Sequence, residues 1–401
     1  MRWQPFTHPA ARLTSYSTIA AVSVGALYVV QSLLPLIAPD VGLSTAASGV
    51  LVAAVQIGYA AGLLVLVTRA DDARMRWRSA AQLVVLTLAF AVASAQTTLV
   101  AIIAAFVVIG LVSGVGQSLM AVTHAQSLPG RSAHRVAVVT AAMIVGTFGG
   151  RVLAGALAEA AGWQGVLVVF AALSALSVPL LLWSVPRVKT GSRAGMAEQH
   201  RAGPVRATLA LLLRDGRLRQ LAVVQFFAFA ALTAMWTVIA VHLTDPSIGW
   251  SIAKANWFGL VGLATGLVAP LLTTGPVART VTRGRPRRFG FVALLLGTVL
   301  VVARPESVVL LVVSMFAVTL ANQMIHAVNQ DNAMTFALGD RAKANAAFMV
   351  VVFIGGAIGA AVGPLAYSTG GLRLTAAFAA AAGLLGVLAT SPWLQRNTLR
   401  P

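Results

Sequence analysis

Apolar residues along the chain gather into twelve runs, near 15–38, 44–67, 79–97, 99–126, 136–159, 163–185, 220–243, 254–275, 289–303, 307–330, 344–367 and 372–391. A helix needs about 20 such residues to cross a bilayer, so the pattern predicts twelve membrane-spanning helices, the ninth being the shortest. The first run exceeds the roughly 7–15 apolar residues of a signal peptide, and no small-residue cleavage site precedes the second; it is expected to stay as a helix. The longest connection, 186–219, is rich in Arg and Gly and divides the spans six and six. The expected organisation is an N-terminal bundle over 1–185, a basic linker over 186–219 and a C-terminal bundle over 220–401. Arg135, Gly149 and Gly150 find counterparts in Arg341, Gly355 and Gly356 at one constant shift, a weak echo of repeated halves.

Polar side chains interrupt the runs selectively. They fall in span one (Gln31), two (Gln56), four (Gln117, His124), five (Arg151), seven (Gln225) and ten (Asn322, Gln323, His326), with Asn256 and Asn345 near the ends of eight and eleven. Spans six, nine and twelve have no interior amide or charge, and span three has only Gln82 near one end. An unpaired polar group is costly in hydrocarbon, so every third helix is expected to face lipid while the others line something. Glycines four apart mark spans two (Gly58, Gly62), four (Gly110, Gly114), five (Gly146, Gly150), eight (Gly262, Gly266) and eleven (Gly355, Gly359, Gly363). Such spacing lets two helix backbones approach closely.

Composition agrees: of 401 residues 58% are hydrophobic and 10% charged, with a mean hydropathy of +0.86. Those values exclude an ordinary soluble domain and a disordered chain. The absence of Cys excludes a disulfide framework, a thiolate zinc site and a cysteine nucleophile. A net charge of +19 would in a soluble protein suggest nucleic-acid binding, but placement decides otherwise. Loops on one side of the twelve spans carry twenty-five Lys and Arg; the other side carries only Lys254, Arg304 and Arg373, and Arg151 lies within a span. This asymmetry predicts that both termini and the linker are cytoplasmic and that the basic loops meet anionic lipid headgroups, with no nucleic acid involved. No HExxH, Walker loop or carboxylate cluster points to catalysis, a cofactor or a metal. The Gly spacing in GTFGGRVLAG lies inside an apolar span and follows no strand, so it is no dinucleotide site. No charged ring or filter-like repeat suggests a channel.

The loop LVTRADDARMRWR from Leu66 to Arg78 resembles the signature loop of the major facilitator superfamily, with Asp71 in the acidic place and Ala70 where Gly is usual. The equivalent stretch after span eight, Thr274 to Arg288, keeps a Gly and a basic tail without the acid. GTFGGRVLAGALAEAAGW, from Gly146 to Trp163, is similar to the Gly-rich antiporter motif without its Pro, and Asn329 to Gly359 resembles the same region of bacterial efflux members. The resemblance covers nearly the whole chain and points to the twelve-helix drug-efflux branch. It implies an all-α membrane protein of two six-helix bundles around a midplane cavity. Helices one, four, seven and ten would line that cavity, two, five, eight and eleven would meet between the halves, and three, six, nine and twelve would lie outside. Four of the five Gly-paired helices fall in the second group, so the pairs are expected at the seam between halves. Asp71 and Arg76 of the signature loop would serve gating.

Helical spacing then nominates cavity residues: Tyr28 and Gln31 on helix one, Gln56 and Tyr59 on two, Gln117 and His124 on four, Asn322, His326 and Asn329 on ten, with Trp236 and Arg151. Each amide has two readings, ligand contact or hydrogen bonding between helices. Arg151 is the sharpest candidate, because a cation at such depth costs at least about 2.5–3.5 kcal/mol on insertion scales and needs a partner. That partner is either substrate or the backbone of the Gly-rich seam. Proton coupling lacks the membrane-embedded carboxylate usual in proton-driven exporters of the superfamily; His124 and His326 are the titratable substitutes. The expected protein is a monomeric, multi-pass carrier in a bacterial inner membrane, exporting a small organic molecule by alternating access. A facilitative or uptake carrier without proton coupling, or a transport-inactive sensor on the same fold, stands as the alternative.

Overall fold

The computed structural model describes residues 9–67, 75–125, 132–185, 204–282, 285–336 and 341–390. The first apolar run becomes α1 (Pro9–Asp40), the second α2 (Thr45–Gly62) ending in a π-helical turn over Leu63–Val67, and the third α3 (Met75–Ser94). Span four is interrupted into α4 (Leu99–Val112) and α5 (Val115–Ala125), and spans five and six form α6 (Ser132–Ser184). Within the linker region lies α7 (Pro204–Arg214), before α8 (Gly216–Thr244) as span seven. Span eight comprises α9 (Ile252–Asn256) and α10 (Gly259–Thr273); the short α11 (Gly275–Val281) precedes α12 (Pro286–Ala303), α13 (Val308–Phe336) and α14 (Arg341–Ala389), which supply spans nine to twelve.

A straight helix of 53 residues would be about 80 Å long, more than twice the hydrocarbon thickness. α6 avoids this by turning back at Gly162, where φ is +64°, and α14 turns at Gly370 and Gly371, the latter with φ +62°. Only Gly takes up a positive φ at little cost, so these residues supply the reversals that longer loops make elsewhere. The described residues therefore make twelve crossings. Both ends of the described chain lie on one face, here the terminal face; the turns at 41–44, 95–98, Gly162, 245–251, 304–307 and Gly370–Gly371 form the far face.

Caps fix the far-face turns. Ser44 accepts from Ala47 N–H at the start of α2, and Ser251 accepts from Lys254 N–H at the start of α9. At the end of α8, Asp245 accepts from both the N–H and the hydroxyl of Ser247, bonds that hold its carboxyl below the usual carboxylate range. Trp163 Nε1 donates to Asp40 at 2.6 Å, tying span six to the end of span one.

Large apolar side chains are exposed on span three (Val84, Leu88), six (Val168, Leu176), nine (Leu296, Val299) and twelve (Leu384, Leu388). The spans without interior polar groups thus contribute to the lipid-facing rim, which they share with exposed apolar positions on other spans, such as Leu153 (five), Leu267 (eight), Val309 (ten) and Ile358 (eleven). The glycine pairs divide differently from expectation. Gly58, Gly62 and Gly110 lock spans two and four together inside the N-terminal half, where an added Cβ would overlap the Val107, Leu111 or Val55 carbonyl. Gly146 meets Ala21 of span one, and Gly355, Gly359 and Gly363 meet Phe226, Ala230 and Ala234 of span seven. Only Gly262 and Gly266, against Phe148 and Ile144 of span five, pack across the halves. The pairs mostly seat helices within one half, while the seam uses side chains and unpaired glycines, Gly49, Gly155, Gly259 and Gly356 among them.

Candidate functional site

The seam between halves is tight toward the far face. There the backbone of Gly49 (span two) lies against Ala360 and Ala361 (span eleven), and Gly155 (span five) against the Asn256 side chain (span eight). Asn256 Nδ2 donates to the Ser32 carbonyl of span one at 3.1 Å, and Glu159 accepts from the Ala253 N–H. Below this seal, between the halves, lies a cavity of two adjoining lobes with volumes of ≈ 150 and ≈ 220 Å³ that share Tyr28, Ile144, Thr147, Phe229 and Asn322. The second lobe reaches Met120, Thr140, Gln330 and Met349, within the last turns of their helices at the terminal face. The molecule is closed on the far face, and its cavity extends toward the other.

The upper lobe is built around Arg151, which is 3% exposed. Its guanidinium stands 4.5 Å from the centre of the Trp236 ring and 5.9 Å from that of Tyr28, and one terminal nitrogen donates to Gln31 Oε1. Gln31 in turn donates to Thr237 Oγ1 at 3.1 Å, and Thr237 passes its own proton to the Thr233 carbonyl. Gln31 thereby joins span five of one half to span seven of the other. Arg151 Nε has no hydrogen-bond partner, and no carboxylate is among its contacts in the described residues. Cation–π contact and one neutral acceptor satisfy a buried guanidinium only in part. Trp236 spends its N–H on Thr319 Oγ1 at 2.9 Å and offers the cavity only its faces, one against Phe148.

The lower lobe has aromatic walls and uncharged polar groups. Tyr59 packs on Phe353 with centroids 4.4 Å apart, and its hydroxyl lies against Gln117, whose Oε1 has no hydrogen-bond partner. His326 stacks on Phe348 at 5.7 Å, beside Gln330. Asn322 accepts from Gln225 at 2.9 Å through Oδ1, which leaves its N–H donors for the cavity it lines.

Of the nominated residues, Tyr28, Gln31, Tyr59, Gln117, Arg151, Trp236, Asn322 and His326 line the lobes. Asn329 does not: it is fully buried and turns its amide toward Gln225 of span seven. Gln56 is also fully buried, at the seam beside Gly356, with neither amide atom partnered. The side chain of His124 and all of Asp71 lie outside the described residues. Arg76 donates to the Leu182 carbonyl at the end of span six and lies 5.5 Å from the Trp77 ring, contacts within the N-terminal half. Sequence reasoning passed over Thr147, Phe148, Phe229 and Thr319. Thr147 and Phe148 stand four and three residues before Arg151, and Thr319 three before Asn322, so the helical spacing that found their neighbours could have found them too.

Residues 16–339 match the family profile described as Major Facilitator Superfamily. The protein named "Probable transporter SCO4007" from Streptomyces coelicolor is 31% identical over 376 residues, covering 92% of this chain and 85% of that protein. The uncharacterized transporter YgaY of Escherichia coli O157:H7 is 27% identical over 366 residues, 90% of each chain. Among solved structures, the nucleoside transporter NupG superposes with a TM-score of 0.71 at 16% identity, covering 97% of this chain and 99% of that one. The peptide transporter POT gives 0.71 at 16%, covering 98% and 96%. At that identity the two structures speak to the fold alone.

Proposed function

Because this chain belongs to the major facilitator superfamily and is a multi-pass membrane transporter of a small molecule, we propose that it exports a small organic compound by alternating access. The observation that carries this reading is the cavity itself, lined from both halves, sealed on one face and extending toward the other. Such a site is loaded from the terminal face and emptied when the far-face seal parts. The charge asymmetry of the loops supports a cytoplasmic position for the terminal face, both termini and the 186–219 linker in a bacterial cell. Loading would then be from inside, which is the direction of an exporter and agrees with the efflux-like segments. The halves are taken as 1–185 and 220–401, with the protein acting as a monomer.

Arg206 and Arg214 of α7, together with exposed Leu209 and Leu213, give that helix a face suited to the headgroup layer of an anionic leaflet. Among the described residues the cavity lining holds no carboxylate; His326 and the two tyrosines are its titratable groups there besides Arg151. This favours a carrier that does not exchange protons through an embedded acid, so substrate flux without obligate proton exchange is the second reading of coupling. Reconstitution in proteoliposomes, with a compound panel and with or without an imposed pH gradient, tests the proposal. Accumulation dependent on the protein supports it; binding without flux in any condition would leave a sensor on a transporter fold.

A further inference from the structure

We infer that the upper lobe is a binding site for a small aryl carboxylate, with the carboxylate on Arg151 and the ring among Tyr28, Phe148, Phe229 and Trp236. Four observations meet at this point. Arg151 is buried, faces a cavity, lacks an acidic partner and keeps Nε without an acceptor. Its one hydrogen-bonding side-chain partner among the described residues, Gln31, is a neutral acceptor, which a carboxylate can outcompete. The surrounding donors that remain free, the Asn322 N–H groups among them, would serve an anion's second oxygen, whereas the hydroxyls of Thr147 and Thr233 are spent on backbone carbonyls. The apolar walls combine the aromatic rings with Ile144 and Leu232, and Trp236 presents ring faces because its N–H is taken.

The geometry selects against other charges as well. A permanent guanidinium at the roof repels an ammonium ligand, and a neutral amide would meet Arg151 with a weaker, uncharged acceptor. A planar fork of N–H donors matches a carboxylate in two parallel bonds, which Lys could not reproduce. Binding also acts on the link between the halves beneath the seal. A carboxylate that takes the Arg151 donors releases Gln31 from span five, so the hydrogen-bonded link from Arg151 through Gln31 to Thr237 is loosened when the site fills.

This inference rests on the transporter reading for its physiological sense, but its test is equilibrium binding and stands apart from flux. The full-length purified protein is dialysed against 2-naphthoate, 2-naphthamide or 2-naphthylmethylammonium, which share one ring system and differ in charge. The expected result is naphthoate bound about tenfold or more tightly than the amide, reflecting a two-bond ion pair with the guanidinium against a single bond from it to a neutral carbonyl, and no saturable ammonium binding. Arg151→Gln should abolish the preference, bringing naphthoate to the level of the amide or below it. Arg151→Lys should recover only part of the preference. Should Arg151→Gln fail to fold, Gln31→Ala serves instead: it removes the competing acceptor and should raise naphthoate affinity severalfold. Equal binding of acid and amide by the wild type, no binding of either, or an acid preference that survives Arg151→Gln would overturn the assignment. Charge-selective binding without flux in proteoliposomes would leave the site standing and remove the transporter reading.

Discussion

Gly49 is where one methyl group should change the conformational balance of the whole molecule. Its backbone lies on span two, buried against span eleven of the other half, and a Cβ built there would overlap the Ala360 carbonyl oxygen. The Ala360 carbonyl carbon and Ala361 Cα would each stand only 3.0 Å away. All of these are main-chain atoms and cannot rotate aside, so Gly49→Ala forces two helices apart. Overpacking of this kind costs about 1–3 kcal/mol. The clash exists only while the far-face seam is shut, so the whole cost falls on the closed state. At about 1.4 kcal/mol per tenfold, the ratio of far-face-open to far-face-closed molecules should rise about 5- to 150-fold. The chain has no native Cys, so spin labels placed through Ala47→Cys and Ser368→Cys report the seam without background. Gly49→Ala should move the distance distribution toward a longer component. Gly58→Ala is the control, because its methyl would strike the Val107 carbonyl of span four inside one half, whichever face is open. That variant should lower thermal stability and leave the distances alone. An unchanged distribution in Gly49→Ala, or an equal shift in Gly58→Ala, would refute the assignment of Gly49 to the moving seam.

Asn256→Ala removes the bond to the Ser32 carbonyl and exposes a gap opposite Gly155; the same spin-label pair should show a smaller opening, equivalent to about 1 kcal/mol. Gly371→Ala meets no atom within 4 Å, so its cost is backbone strain alone, at φ +62° and ψ −161°, a conformation essentially confined to Gly and costing about 1–3 kcal/mol. A fall in melting temperature with naphthoate affinity unchanged is the expected readout, and loss of affinity would contradict it. If a monoanion leaves without a proton, an inside-negative potential of 100 mV can sustain roughly a 50-fold outward gradient, since that potential is worth about 2.3 kcal/mol per charge. Efflux from vesicles clamped by potassium and valinomycin should follow the potential; dependence on the pH gradient alone would argue for protonation instead.

The spans were legible because each is long and apolar enough to be read without knowing its neighbours. Missing polar groups marked four lipid-facing spans, though not spans such as eight and ten, which expose Leu267 and Val309 while carrying polar residues. What the sequence could not supply is which helix a small residue touches. Gly58 and Gly146 read alike, yet one meets span four and the other span one, because that choice depends on rotation of whole helices in the bundle. The same limit explains Gln56 and Asn329. Three residues advance a helix by about 300°, so Gln56 is turned some 60° from Tyr59, enough to place it on the seam beside Gly356 while Tyr59 reaches the cavity. Asn329 lies nearly in line with Asn322, two turns on, but there the closest polar partner is Gln225 of span seven. Arg151 stood out because a cation is expensive in any orientation, and only its company of Gln31, Tyr28 and Trp236 had to come from the fold.

The reversals at Gly162 and Gly371 also bear on the bilayer. With no slack loop between spans five and six, or between eleven and twelve, each pair is a stiff hairpin rather than two independent rods. Spans five and eleven meet the opposite half, while six and twelve present Val168, Leu176, Leu384 and Leu388 to the acyl chains. Any tilt of the inner arm is therefore delivered to the outer arm and felt by the surrounding lipid as a change in the hydrophobic height it must match. The membrane acts here as an elastic load on the transport cycle, weighting one conformation against the other through its thickness.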